Sequence, residues 1–138
     1  MTGDDAHAQA FLAILNAVDD VPALVVYDGA VPQLTAPPYV VVYFADADPL
    51  ESTSTHLTHE ARRHITDAYC HCVGTNGQAA RMVADRVRTA LLNVTPTVSG
   101  RACFPIRRTD GQPAQRDETT GRLVMDKVDV YRLSSIPA

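Results

Sequence analysis

The sequence predicts a single α+β domain, residues 1–138, in which a mixed, mostly antiparallel sheet packs against two helices and carries a long hairpin arm. Two apolar stripes of helical period, separated and followed by strand-like runs, point to that class, as does the lack of any internal repeat or linker. Composition agrees: with 138 residues, 46% hydrophobic and 20% charged, the chain has an ordinary globular balance. A chain of that length buries roughly two-thirds of its unfolded surface.

Across residues 4–18, His7, Phe11, Ile14, Leu15 and Val18 recur at the spacing of one helix face, which predicts an amphipathic helix ended by Pro22. Leu24, Val25, Val26 and Tyr27 follow as a short strand, halted by Asp28 and Gly29, a dipeptide suited to positive φ. Pro32, Pro37 and Pro38 keep the next stretch extended. Tyr39, Val40, Val41, Val42, Tyr43 and Phe44 are apolar at both alternating sets of positions, the pattern of a strand covered on both faces, and are expected at the middle of the sheet.

Residues 45–63 then turn polar, with Asp46, Asp48 and Glu51 ahead of a Ser/Thr/His-rich stretch without sustained period. Such a segment cannot offset the entropy of fixing it, so it is expected to be a long loop, mobile in the isolated subunit and a candidate contact surface. Residues 65–73 alternate as a strand with Cys70 and Cys72 on one face, and the small-residue face is expected to point inward. Thr75-Asn76-Gly77-Gln78 fits a capping box with Thr75 as the cap. The helix it opens should bury Ala80, Val83, Ala84, Val87, Ala90 and Leu91, leave Arg81, Asp85 and Arg88 wet, and close at Asn93 and Pro96. Strands around 97–107 and 122–133 complete the sheet, joined by the arm at 108–121 with its Asp110-Gly111 and Pro113 turn chemistry. The first few residues and 136–138 are expected to fray.

The formal net charge of -4 gives no global field for nucleic acid. Lys127 is the one lysine among 12 cationic residues, and the arginine excess suits paired contacts with carboxylates across an interface, although coding bias produces the same excess. No apolar run reaches membrane-span length, and the acidic start at Asp4 and Asp5 is unlike a signal peptide, so a soluble protein of the cytoplasm is expected. Three cysteines do not make a disulfide framework; free thiols are expected.

His56, His59, His64, Cys70, His71 and Cys72 form the densest set of metal-ligand types, but a Cys-x-Cys pair in a strand splays its sulfurs and sends His71 to the opposite face, so no metal is expected. No nucleophile elbow is present, and the Gly74 to Gly77 turn lacks the lysine and third glycine of a phosphate cradle; neither enzymatic activity nor a cofactor is expected. Asp117 and Glu118 lie beside Arg116 and Arg122, where salt bridging outweighs cation binding. The arm itself sets Arg107, Arg108, Arg116 and Arg122 against Asp110, Asp117 and Glu118. It reads either as a solvated turn or as an arm that reaches a neighbouring subunit through Arg and carboxylate pairs, which makes these seven residues candidate interface residues.

Val26-Tyr27-Asp28-Gly29 with Val31-Pro32, then Pro38-Tyr39-Val40-Val41-Val42, resembles the opening of the tail terminator, or tail completion, proteins of actinobacterial siphophages or prophages. Cys72-Val73-Gly74 leading into an Arg-rich helix, Leu91-Leu92, Gly100-Arg101, Arg116-Asp117 and Asp129-Val130-Tyr131-Arg132-Leu133-Ser134 are similar to that family in the same order. The resemblance implies a virion tail protein assembled in the bacterial host cytoplasm. It implies a homo-oligomeric ring, typically a hexamer, that caps the head-proximal end of the tail tube and stops its polymerisation. The implied partners are the tail tube protein and the head-tail connector, with DNA passing through the lumen without sequence-specific binding and no membrane involved. The alternatives are a head-completion or connector protein and a small metal-binding protein.

Overall fold

In the computed structural model, residues 3–46 and 63–138 are described. Helix α1 (Gly3–Asn16) turns His7, Phe11 and Leu15 fully inward, with Ile14 and Val18 packed against the same cluster. Strand β1 (Val26–Asp28) lies parallel to β2 (Tyr39–Asp46), with Val26 opposite Val40, and Gly29 takes the positive φ of 73° that lets the chain leave the strand. Strand β3 (His64–Gly74) pairs antiparallel with β2 on one side and with β7 (Val124–Pro137) on the other. After helix α2 (Gly77–Leu91), the short strands β4 (Arg101–Cys103), β5 (Arg107–Gly111) and β6 (Gln115–Asp117) all pair antiparallel with β7. The sheet order is β1-β2-β3-β7-β4, with β5 and β6 also on β7, so a single parallel pair joins an otherwise antiparallel sheet.

Both helices cover one face. Ala68, Cys70 and Cys72 of β3 sit at zero exposure among Val40, Val42, Tyr131 and Leu133 of the neighbouring strands and Val83, Val87 and Leu91 of α2. Small side chains at the centre of the sheet let α1 and α2 approach closely, and each large aliphatic or aromatic side chain buried there contributes about 1.5–3 kcal/mol. On the other face a smaller cluster gathers Tyr39, Val41, Val73 and Val124. α1 is tied to the sheet by a polar bridge as well: His7 shares hydrogen bonds with Thr66 Oγ1 at 2.9 Å through Nδ1 and with Ser135 Oγ at 2.7 Å through Nε2.

The turn from β3 into α2 is too tight for a side chain at Gly74, where a Cβ would lie 2.6 Å from the Cβ of Ala79. The cap is Asn76 rather than Thr75: its side-chain oxygen accepts from the Ala79 amide at 2.8 Å. Asn and Thr serve the same purpose, and the one-residue shift puts the stronger capping residue in place, a choice worth about 1 kcal/mol. The buried stripe of α2 matches expectation except that Ala90 is only half-buried.

Other expectations change. β3 holds the centre of the sheet, because apolar residues on both faces of β2 report covered faces and not the number of strands on either side. Most of the expected 45–63 loop, residues 47–62, lies outside the described residues, while Ala45 and Asp46 belong to β2 opposite Asp67 and Thr66. The arm is not a free loop. β4, β5 and β6 are pieces of one interrupted strand that follows β7 from Pro137 back to Val124, leaving only residues 118–123 as the turn. A charged segment can do this because β5 is exposed throughout and pairs through its backbone without burying an apolar side chain. Residues 136 and 137 do not fray either, since Ala102 and Arg101 pair with them.

Candidate functional site

The seven arm residues are not equivalent. Arg108 reaches across to the helix side of the sheet and donates to Oδ1 of the fully buried Asp129 at 2.9 Å; the lone lysine, Lys127, donates to the same oxygen at 2.8 Å. Gly111 makes room for this, since a Cβ there would occupy the space of the Arg108 guanidinium and come 2.7 Å from Asp129 Oδ1. Arg108 therefore belongs to the fold. Asp110 accepts from the Gly111 amide at 2.8 Å, and Asp117 from the Thr119 amide at 2.9 Å, so both carboxylates shape turns. Arg116 and Glu118 form an exposed pair at 3.2 Å, worth about 0–1 kcal/mol. Arg107 and Arg122 are exposed and have no ion-pair partner among the described residues. The structure thus places Arg107, Arg108, Asp110, Arg116 and Asp117 on strands along one edge of β7 and Glu118 and Arg122 in the turn beyond them, and leaves Arg107, Arg116, Glu118 and Arg122 as the side chains presented outward.

The cysteines face the helices and His71 the opposite side, as the alternation of a strand requires. Burial, then the Asp129 charge, pushes the Cys70 thiol up to about 12. Burial pushes the Cys72 thiol up too, with Cys70 and Asp129 adding to it. Thiols held protonated in this way are poor metal ligands and poor nucleophiles. His64 lies 3.8 Å from Asp46, His56 and His59 fall outside the described residues, and among the described residues no group of three His, Cys, Asp or Glu is placed to hold a metal ion.

Sequence reasoning missed a cleft of about 760 Å³ on the face away from the helices, between the strands, residues 30–33 and the arm. On its floor His71 Nδ1 is hydrogen-bonded with Asp126 Oδ2 at 2.8 Å, and the Tyr43 ring stands edge-on to His71 at 5.1 Å. Burial, followed by the charges of Asp117 and Asp126, pushes the Tyr39 phenol up. His71 and Asp126 are 55 positions apart and meet because Val128 lies opposite His71, which puts Asp126 on the diagonal of the same face. The described residues that line the cleft include no Ser or Cys; its hydroxyls are those of Thr119, Thr120, Tyr39 and Tyr43.

The described residues thus form an α+β sheet whose β7 edge is built of charged strands. The profile of the family described as tail completion protein gp17 matches residues 9–129. This chain belongs to that family. The tail-completion fold is shared with a solved chain titled "Virion of native gene transfer agent (GTA) particle", at 20% identity and a TM-score of 0.68, covering 94% of this chain and 93% of that one. A second solved chain, whose title states no function, is 19% identical with a TM-score of 0.65, covering 98% of this chain and 96% of that one. At these identities the likeness is one of fold. No curated protein matches the chain. Membership of the tail-completion family makes this a phage tail or head-tail assembly protein, the coarse role that the tail-terminator resemblance implies.

Proposed function

We propose that the protein forms a closed ring, of six subunits, that caps the head-proximal end of the tail tube, ends its polymerisation and presents the surface to which the head connector joins. The match of the tail-completion family over residues 9–129 carries this reading. The sheet supports it physically. Its two ends are unlike: β1 offers a three-residue edge beside β2, and β5 and β6 offer an exposed, Arg-rich edge beside β7. Unlike edges join head to tail, and repeated head-to-tail contacts close by rotation. The net charge of -4 suits a lumen through which DNA slides without being held. The role is structural rather than enzymatic, in the virion tail, with assembly in the host cytoplasm.

The test is electron microscopy of tail tubes assembled with and without the protein. Tubes of uniform length bearing a ring at one end are expected with it, and long irregular tubes without it. Density at the portal instead of the tube end would transfer the protein to head completion, and a chain that stays monomeric beside tail tube protein would defeat the ring.

A further inference from the structure

On the face of the sheet away from the helices, one row of residues crosses three strands: Asp67 of β3 is opposite Arg132 of β7, which is opposite Arg107 of β5. Asp67 is committed to Arg132, which holds it with Nε at 2.8 Å and Nη2 at 3.0 Å in a bidentate fork. Arg107 therefore stands directly across from a second arginine on one face, an arrangement that is unfavourable by itself. Beside them Arg63 donates from Nη2 to Ser134 Oγ at 3.3 Å and lies over the Phe104 ring, 5.2 Å from its centroid. The Nε of Arg63 is buried with no hydrogen-bond partner among the described residues. These three guanidinium groups line one pocket of about 490 Å³, whose walls also include Asn93, Thr109 and Ser134. Among the described residues that line the pocket there are three arginines and no carboxylate, in a chain that is acidic as a whole.

We propose that this pocket is an oxyanion site that receives the carboxylate of an Asp or Glu side chain from a partner protein chain. A carboxylate between Arg107 and Arg132 turns an opposed like-charge pair into two charge-assisted contacts and can take a further hydrogen bond from the Arg63 guanidinium, which lines the same pocket. A protein side chain fits better than a nucleic-acid backbone. Affinity for a duplex grows with the number of phosphates neutralised along a track, and three arginines clustered in one concavity of a chain with net charge -4 neutralise few. Phe104, 41% exposed beside the arginines, offers apolar cover for the methylene stem of an acidic side chain. The site stands on these side chains alone and does not depend on ring closure.

The test uses the full chain, with arginine Nε–H resonances followed by NMR during titration. The probes are a short acetylated and amidated oligoglutamate peptide, its oligoglutamine counterpart, inorganic phosphate and a short DNA duplex. Oligoglutamate is expected to shift the Nε–H signals of Arg63 and Arg107 saturably, with oligoglutamine inert. An Arg63→Gln, Arg107→Gln double variant should lose about tenfold or more in affinity, two charge-assisted bonds being removed. An Arg116→Gln, Arg122→Gln variant should bind as the wild type does. Equal shifts with oligoglutamine, or tighter binding of the duplex or of free phosphate at these arginines, would overturn the assignment. Arg107 is exposed, so the single Arg107→Gln variant is expected to fold and to melt no lower than wild type; it repeats the titration if the double variant does not fold.

Discussion

Arg108 Nη2 lies 2.9 Å from Oδ1 of Asp129, a carboxylate with no exposure to solvent, and Lys127 approaches the same oxygen at 2.8 Å. Two cations on one buried anion make each partly redundant. Arg108→Ala or Lys127→Ala is expected to cost about 1–2 kcal/mol, since the carboxylate keeps one charged donor. The double variant leaves Asp129 buried and unpaired and should cost about 3–5 kcal/mol, more than the sum of the single effects. Urea denaturation of the four proteins measures this, and simple additivity would show that Asp129 does not depend on the pair.

Gly111 is needed because the Arg108 side chain crosses the place its Cβ would take. Gly111→Ala should therefore destabilise by about 1–3 kcal/mol, the range of overpacking in a filled site. The mechanism predicts a specific rescue. In an Arg108→Ala background the clash with the guanidinium is gone while the 2.7 Å approach to Asp129 Oδ1 remains, so part of the penalty should vanish from the denaturation midpoint; a penalty of the same size there would locate the strain at Asp129 and not at Arg108.

The backbone order is largely legible in the sequence, while the polar connections are not. Phe11, Leu15, Val83, Val87 and Leu91 announce themselves through periodicity, and alternation places Cys70 and Cys72 inward, because both signals are local. His7 shows the limit. It fits the apolar stripe by position, yet its burial is made possible by Thr66 and Ser135, the latter 128 residues away, a pairing that only strand register creates. The arm misleads for a related reason: Arg107 to Gly111 has strand geometry without strand composition, because an edge strand held by backbone pairing and one ion pair leaves no apolar pattern to read. The 760 Å³ cleft, built across the sheet from side chains on four strands, has no local signature at all.

The buried thiols set a limit to alkaline stability. Cys70 is pushed up to about 12 and Cys72 well above its ordinary value, whereas in the unfolded chain both ionise near 9. Folding thus favours the protonated forms: the contribution is fully present below pH 9 and is lost as pH rises toward the folded values. Above pH 9 the unfolded state binds fewer protons, and stability should fall by about 1.4 kcal/mol per pH unit for each thiol. Denaturation midpoints measured from pH 8 to the onset of alkaline unfolding should decline more shallowly in a Cys70→Ala, Cys72→Ala variant. At neutral pH both thiols should react with a disulfide reagent far more slowly than the half-buried Cys103, whose thiol is raised less.

Self-association should respond to the outward arm charges and not to Arg108. Arg107 and Arg122 are exposed without ion-pair partners among the described residues, and Arg116 has only the exposed Glu118. Reversing Arg107, Arg116 and Arg122 to Glu should therefore leave the melting temperature nearly unchanged while weakening association, because surface charges contribute little to stability but steer and hold rim contacts. Arg108→Glu behaves differently: it places a second carboxylate against the buried Asp129 and should unfold or strongly destabilise the chain, so a lost ring in that variant says nothing about the interface. Rim ion pairs are screened over about 8–10 Å at physiological salt, so wild-type association should weaken as salt rises and the triple variant should show little of that dependence. Sedimentation velocity at low and high salt reads both effects, and virions carrying the triple variant should have tails of uncontrolled length. Normal tails, with an oligomer indifferent to salt and to the three substitutions, would remove this edge of β7 from the contact and move the interface to β1 or the helix-covered face.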